Sequence, residues 1–312
     1  MKPPSYLFES AESAFTFSVI EHTSSDILLF ITTNVQIARK RLLRFRAAFL
    51  HNRPSNRFAV VTFDAAARSR YQKIVLDGAS IDHYIFGADA VDTLNYPNKG
   101  AARPFKLIPG NCDFIPLLFR KLQPQFQHYW VIEDDVEYTG DPAVLFDDLS
   151  KRNGDLLATH LTRSYDEWTY TEALRTPGYD LCAAETWLMF FPFYRVSADA
   201  LDVIDAYYRK GWAGHHENMW ATILKHADRT VIDIGGQGDY VAEVDRNKHY
   251  YGLVHDRFEK NGSFGTLQIR LWPGRRKNVL WHPVKPFGAW LRQRKKRFIS
   301  QSRWVWRRFS KT

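Results

Sequence analysis

The chain is poor in cysteine and contains no long apolar run. It has 312 residues with only two cysteines, Cys112 and Cys182, which form neither a disulfide framework nor a cysteine metal-site spacing. No stretch approaches the roughly 18 consecutive apolar residues of a membrane-spanning helix. Residues 1–13 lack the basic start and the apolar centre of a signal peptide. We therefore expect a protein of a reducing, cytoplasmic compartment.

Acidic residues are absent from the last sixth of the chain. No Asp or Glu follows Glu259, whereas 14 Lys or Arg residues lie between Asn261 and Thr312; the preceding residues carry 29 basic and 34 acidic side chains. The net charge of +9 therefore comes from the C-terminal segment, and a basic nucleic-acid-binding domain is not expected.

The end of this basic segment, residues 290–312, interleaves basic and aromatic residues. That composition is typical of an interfacial membrane anchor, and we expect this tail to bind the anionic inner face of the cell membrane. The alternative is a disordered basic tail with incidental nucleic-acid affinity.

Apolar runs of strand length alternate with segments of helical period in the first half of the chain. The predicted strands are 26–34, 56–64 and 81–87, and the predicted helices are 35–50, 112–122 and one that begins within 65–73. This order predicts an α/β fold with a Rossmann-like, mostly parallel central sheet and helices on both faces. No Gly-x-Gly-x-x-Gly follows a strand, so nicotinamide binding is not expected.

Three consecutive carboxylates, Glu133, Asp134 and Asp135, end the next predicted strand. Like charges this close are unfavourable unless a cation lies among them, and carboxylate oxygens suit Mg²⁺ or Mn²⁺. Open α/β sheets bind ligands at the carboxyl ends of their strands. We therefore predict a divalent metal site here; the alternative is an acidic turn exposed to solvent.

The segment Val131-Ile-Glu-Asp-Asp-Val-Glu137 resembles the Asp-x-Asp motif of nucleotide-sugar glycosyltransferases of the GT-A fold, in the Glu-Asp-Asp form of the N-acetylglucosaminyltransferase I family. The resemblance implies a GT-A fold and a metal ion that bridges the phosphates of the donor. It also implies that Asp135 contacts this metal, that Asp134 faces the ribose or the donor sugar, and that Glu133 supports the metal site.

A second similarity lies at Leu280-Trp-His-Pro-Val-Lys-Pro286. Many GT-A enzymes add a C-terminal His to the metal shell, and glycogenin-like transferases pair it with a Lys-Pro whose Lys meets the diphosphate. The similarity implies that His282 binds the metal and that Lys285 binds the phosphates. The alternative for His282 is a turn residue beside Pro283.

Glu217 is the candidate catalytic base. Inverting GT-A enzymes place an Asp or Glu at the start of a helix, where it removes the proton of the acceptor hydroxyl. Glu217 fits that position because the apolar Met219, Trp220, Ile223 and Leu224 follow it at helical spacing. The alternative is an exposed carboxylate favoured by the helix dipole.

Polar residues at the predicted strand ends, and before the helix at 112–122, are candidates for binding the nucleotide. They are Thr32, Thr33, Asn34, Asp64, Asp89, Lys106 and Asn111. The first five are also common caps and turn formers. Lys106 and Asn111 are expected to reach the phosphates.

The sequence thus predicts a glycosyltransferase domain at 1–289 and a basic tail at 290–312. The predicted activity is metal-dependent transfer from a nucleotide sugar to a saccharide or lipid-linked acceptor in surface polysaccharide synthesis, with inversion if Glu217 is the base. Two other functions compete. Clustered carboxylates also serve metal-dependent phosphohydrolases and nucleases, and the tail alone suits a non-enzymatic membrane or nucleic-acid adaptor.

Overall fold

The computed structural model describes residues 25–100, 105–108, 110–164, 174–179, 181–182, 185–252, 262–265 and 269–292. Its strands are β1 Asp26–Ile31, β2 Arg57–Phe63, β3 Arg70–Leu76, β4 Ala79–Phe86, β5 His128–Glu133, β6 Glu137–Thr139, β7 Leu156–Arg163, β8 Trp187–Ser197, β9 Val231–Asp233 and β10 Val279–Trp281. Its α-helices are α1 Val35–Leu50, α2 Ala88–Asp92, α3 Phe114–Leu122, α4 Pro142–Ser150, α5 Ala198–Arg209 and α6 His216–His226.

Eight strands form the central sheet, in the order β3-β4-β2-β1-β5-β8-β7-β9. The pairs β1–β2, β1–β5, β2–β4 and β7–β9 are parallel, and the other three are antiparallel. Successive residues of β1 enter two different hydrophobic clusters, Ile27 and Leu29 on one face and Leu28 and Phe30 on the other. Helices α1 and α4 cover the second face, and α3, α5 and α6 the first. The predicted α/β class, with a mostly parallel sheet between helices, is confirmed.

The prediction of a helix that begins within 65–73 was wrong. Residues 70–76 form the edge strand β3, which pairs antiparallel with β4 from Arg70 opposite Ile85 to Leu76 opposite Ala79. The turn between them, Asp77-Gly78, has φ values of 48° and 79°. An Asp-Gly pair favours such a two-residue hairpin because both turn residues adopt positive φ.

The sheet topology places the acidic segment at one edge. Strands β1 and β5 are parallel neighbours in which Ile31 lies opposite Glu133, so the residues that follow both strands meet at the same edge. A second, two-stranded sheet pairs β10 with β6 antiparallel, with Trp281 opposite Glu137. This pairing places the segment after β10, which contains His282, beside the acidic residues.

Residues 287–292 are helical, and the predicted basic tail from residue 293 onwards lies outside the described residues. Within the ranges given above, no helix has the length and apolar character needed to cross a membrane.

Lys99 is a buried cation that joins the segment before α3 to the segment before α6. Its Nζ lies 3.1 Å from Asp113 Oδ2 and donates to the carbonyls of Gly110 and Gly214 at 2.9 and 2.8 Å. Burial lowers the pKa of Lys99, and the adjacent Asp113 carboxylate opposes that shift. Because the His216 N–H also donates to Gly110, at 3.1 Å, Lys99 helps to fix the start of α6.

We expect Lys99→Met to lower the free energy of unfolding by about 3–5 kcal/mol, because the buried Asp113 carboxylate loses its counter-charge. Urea denaturation followed by circular dichroism measures this loss. Arg209→Met is the matched control: Arg209 pairs with Asp205 at 2.6 Å but is 46% exposed, and its removal should cost less than about 1 kcal/mol. Equal losses in the two variants would contradict the role assigned to Lys99.

Candidate functional site

Glu133, Asp135 and His282 meet at the carboxyl edge of the sheet. Glu133 ends β5, Asp135 lies in the turn to β6, and His282 follows β10. One ligand atom from each of the three lies within 4.8 Å of the others, a group that can hold a metal ion. Asp135 and His282 are buried, whereas the Glu133 side chain is about a third exposed.

The two carboxyl groups of this cluster, Glu133 and Asp135, differ in their pKa. His282 Nε2 lies 3.2 Å from Asp135 Oδ1 and 3.9 Å from Glu133 Oε2, and Lys285 Nζ forms an ion pair with Asp135 Oδ2. Burial favours the neutral form of Asp135, but His282 and Lys285 outweigh it and hold the pKa of Asp135 well below its usual range. Burial and the neighbouring Asp135 raise the pKa of Glu133 to about 7. Asp135 is therefore the ionised carboxylate, and Glu133 takes up a proton easily.

Main-chain groups orient His282. Its Nδ1 donates to the carbonyl of Gly265 at 2.8 Å, which directs Nε2 at the acids. Its own N–H donates to the carbonyl of Ser263 at 3.0 Å, and its ring lies 5.3 and 5.4 Å from those of Phe190 and Phe264. Burial lowers the pKa of His282, but the nearby Asp135 and Glu133 carboxylates produce a net rise.

A buried network supports the segment that orients His282, and sequence reasoning did not find it. His160 Nε2 lies 2.6 Å from the carbonyl of Phe264, and the His160 N–H donates to the Tyr250 hydroxyl at 2.7 Å. That hydroxyl donates to Asp233 at 2.7 Å. His160 has a φ of 59° in the middle of β7, which the apolar pattern of the strand does not signal.

Asp134 is bound to the end of β1. Thr32 is buried, and its Oγ1 donates to Asp134 Oδ2 at 2.5 Å. Arg41 of α1 donates to the Asp134 carbonyl and, at 2.9 Å, to Glu137. Burial raises the pKa of Asp134, and the Thr32 hydrogen bond opposes this shift. Thr32 and Asp134 are thus brought together as the strand order predicts.

The other predicted polar residues of the strand ends take local roles. Thr33 is exposed directly after β1. Asn34 caps α1, and its side chain accepts the N–H of Ile37 at 3.0 Å. Asp64 follows β2 and accepts the N–H of Ala66 at 3.0 Å, as a turn former does. Asn34 and Asp64 therefore shape the edge of the sheet.

Asp89, in the first turn of α2, and Lys106 and Asn111, before α3, also form local hydrogen bonds. Asp89 accepts the hydroxyl of Ser69 at 2.7 Å. The Asn111 amide donates to the carbonyl of the exposed Lys106 at 2.9 Å, and its oxygen accepts from Lys99 at 3.4 Å. Of the predicted nucleotide-binding residues, Lys285 forms an ion pair with Asp135 of the metal cluster, and Thr32 donates to Asp134 beside it. The Asn34 N–H donates in turn to Thr32 Oγ1 at 3.0 Å.

Glu217 lies in the first turn of α6. Its N–H donates to His215 Nδ1 at 3.3 Å, and its carboxylate lies 3.7 Å from the same nitrogen. The Glu217 side chain is 22% exposed. Burial and the negative charge of Glu133 raise the pKa of Glu217 to about 8. The structure therefore brings this predicted base into the electrostatic field of the acidic cluster.

A cavity of about 580 Å³ opens beside the acids on the α1 side. Asp134, Asp135 and Lys285 form part of its wall. The rest of the wall includes Ile37, Lys40, Arg41, Glu137, Leu271, Trp272, Pro286 and Phe287.

No protein-family model matches the chain, and no curated protein matches it either. Solved structures match it in part. A glycosyltransferase involved in glycosylation of the major capsid of PBCV-1 is 10% identical over 60% of this chain and 68% of its own, with a TM-score of 0.28. Mouse xyloside xylosyltransferase 1 in its apo form is 8% identical over 69% and 89%, with a TM-score of 0.37. The galactosyltransferase LgtC, in complex with donor and acceptor sugar analogues, is 13% identical over 66% and 72%, with a TM-score of 0.36. TM-scores of this size describe partial superpositions, so the chemistry of the site has to be judged from its own residues.

We expect Glu217→Gln to stabilise the protein at pH 7.5 and to have little effect at pH 5. The pKa of Glu217 is about 8 in the folded protein and 4.5 in the unfolded chain. Its protonated form therefore adds to the stability of the fold below pH 4.5, and this contribution is lost as the pH rises towards 8. The free energy of unfolding of Glu217→Gln should therefore rise relative to that of the wild type by roughly 1 kcal/mol per pH unit over this range. Urea denaturation at several pH values, with a chelator present, measures it.

The control for this experiment is Glu243→Gln, because the Glu243 side chain is 85% exposed and lies outside the cluster. Its effect on stability should not change with pH. A Glu217→Gln effect that is equally independent of pH would contradict the raised pKa.

Proposed function

We propose that the chain is a divalent-metal-dependent glycosyltransferase of the GT-A type, which uses a nucleotide sugar and a saccharide or lipid-linked acceptor. The observation that carries this proposal is the convergence of Glu133, Asp135 and His282 beside Lys285, at the carboxyl edge of parallel strands. Two carboxylates and an imidazole are suitable ligands for Mn²⁺ or Mg²⁺. When bound, such an ion supplies positive charge that stabilises the leaving diphosphate.

Lys285 supplies a second positive charge for the phosphates. Its side chain is 29% exposed and lines the cavity while its ammonium pairs with Asp135. A lysine is a flexible point charge, so the same ammonium can meet a phosphate that enters the cavity. Asp134 keeps one oxygen on Thr32 and offers the other as an acceptor for a hydroxyl of the ribose or the donor sugar.

We assign proton removal to Glu217. Its carboxyl senses the negative charge of Glu133, and its raised pKa makes the ionised form a stronger base than an ordinary glutamate. In a single displacement the acceptor oxygen forms the new bond to the anomeric carbon, while the bond from that carbon to the diphosphate breaks. The hydroxyl proton passes to Glu217, and the configuration of the anomeric carbon is inverted.

The cluster favours a transferase over a two-metal hydrolase. Paired-ion hydrolysis requires a further set of ligands close to the first. In the part of the chain that the structure describes, Glu133, Asp135 and His282 are the only group of three or more potential metal-binding side chains. We place the enzyme in surface polysaccharide synthesis at the inner face of the cell membrane, because the basic tail predicted at 290–312 favours an anionic surface.

The donor is identified by thermal stabilisation with UDP, GDP, CMP and dTDP sugars, each with and without Mn²⁺. We expect one nucleotide to stabilise the wild type only with Mn²⁺, by about 2.7 kcal/mol at 100 times its dissociation constant. Asp135→Asn should abolish this gain because it removes a charged ligand. Asp147→Asn, which changes a 60% exposed carboxylate, should retain it. Stabilisation by none of the nucleotides, or an equal gain in Asp135→Asn, would refute the proposal.

With the donor known, Glu217→Gln should lower kcat by about 10²–10⁴-fold, because the variant lacks a general base. Release of the nucleoside diphosphate in the presence of acceptor measures kcat. Donor affinity should stay nearly constant, since Glu217 is assigned to the acceptor side. Full activity in Glu217→Gln would exclude it as the base and leave a retaining reaction as the alternative.

A further inference from the structure

Large apolar side chains surround the opening of the cavity and are exposed to solvent. Ile37, Trp272 and Phe287 line the cavity and are 65%, 76% and 61% exposed. Leu291, which is 50% exposed, lies four residues after Phe287 in the helix at 287–292 and therefore on the same face. We call these four residues the apolar rim. Helix α1 and the C-terminal residues 272–291 are distant in sequence and build it together, so it is a feature of the fold.

Basic residues flank the apolar rim in sequence and in the cavity wall. Helix α1, which carries Ile37, has five basic residues and no acidic one. The segment that carries Trp272 continues into the exposed Arg275, Arg276 and Lys277. The end of this segment borders α1, because both Arg44 and Asn278 approach Gly140.

Acidic neighbours neutralise only part of this charge. Arg39 pairs with Asp77, and Arg41 pairs with Glu137. For the exposed Lys40, Arg275, Lys277 and Arg292, no ion pair with an acid is found in the described ranges. The surface thus combines exposed aromatic and aliphatic groups with unneutralised cations.

We propose that the apolar rim and the basic residues around it form a docking surface for an anionic lipid bilayer. Tryptophan, phenylalanine and aliphatic side chains enter the boundary between headgroups and acyl chains, while neighbouring lysines and arginines attract anionic headgroups. The chain continues from Arg292 into residues 293–312, which contain eight basic residues and no acidic one, so further positive charge starts at the rim. Single-stranded nucleic acid is less suitable, because Ile37 and Leu291 offer no ring on which a base can stack.

Docking through this surface has a consequence that rests on the proposed function. The cavity that the rim surrounds has Asp134, Asp135 and Lys285 in its wall, so the metal and phosphate site would open towards the bilayer. A lipid-linked acceptor would then reach the site from the membrane surface, with its lipid portion still in the bilayer.

Co-sedimentation measures the binding of the full-length protein to vesicles. One set of vesicles is phosphatidylcholine alone, and the other is phosphatidylcholine mixed with phosphatidylglycerol. We expect binding to the mixed vesicles that weakens as salt is added. Trp272→Ser with Phe287→Ser should reduce the partition coefficient roughly tenfold or more while the tail is intact. Lys40→Gln with Lys277→Gln should reduce it less and flatten its salt dependence.

The matched control is Val75→Ser with Val244→Ser, which changes two apolar residues that are 71% and 86% exposed outside the rim. It should bind vesicles as the wild type does, and thermal melting verifies that every variant is folded. Wild-type binding in the Trp272 and Phe287 variant would overturn the proposal and assign any attachment to the tail. No wild-type binding to the mixed vesicles would overturn it as well.

Two further measurements detect other partners for this surface: sedimentation velocity detects a second copy of the chain, and an oligonucleotide titration detects nucleic acid. A dimer, or an oligonucleotide complex, that the rim substitutions abolish would replace the bilayer as the partner. Neither measurement uses a nucleotide sugar, so failure of the transferase proposal would leave the result of the vesicle experiment unchanged.

Discussion

Repulsion among the three carboxylates at 133–135 is the constraint on which the site depends. Each carboxylate is accommodated in a different way, because no single neighbour can stabilise all three. His282 and Lys285 keep the third ionised, the Thr32 hydroxyl binds the second, and the first has a pKa of about 7. A divalent cation would relieve the remaining repulsion, which is the physical reason to expect one at this position.

Arg41 connects the elements that carry these groups. From α1 it donates to the carbonyls of Asp134 and Val284 and to the carboxylate of Glu137. One side chain therefore fixes both the acidic turn and the C-terminal segment that delivers His282. Ile37 lies one turn earlier on the same face of this helix and belongs to the apolar rim, so the site and the proposed docking surface share a structural element.

The distribution of charge agrees with the two proposed roles, metal binding by acidic groups and phosphate or lipid binding by basic groups. The acidic groups are concentrated at a sheet edge and partly buried, where they can bind a cation. The basic groups of α1 and of residues 269–292 are exposed or half-buried, so anionic phosphates of a donor or of lipid headgroups can approach them. A uniformly basic protein would not separate the two functions in this way.

Local signals in the sequence determined most of the secondary structure and the acidic motif. Helix α1 has the predicted bounds, because hydrophobic periodicity and the Asn34 cap act over a few residues; the hairpin of β3 was equally readable from Asp77-Gly78 but was missed. For His282 and Asp135, the sequence offered a resemblance to known metal sites, and the tertiary structure brings the two side chains to 3.2 Å. Tertiary structure alone decided that burial and the charge of Glu133 raise the pKa of Glu217. It also decided that the rim side chains stay exposed, since burial and pKa depend on what packs against a group from distant parts of the chain.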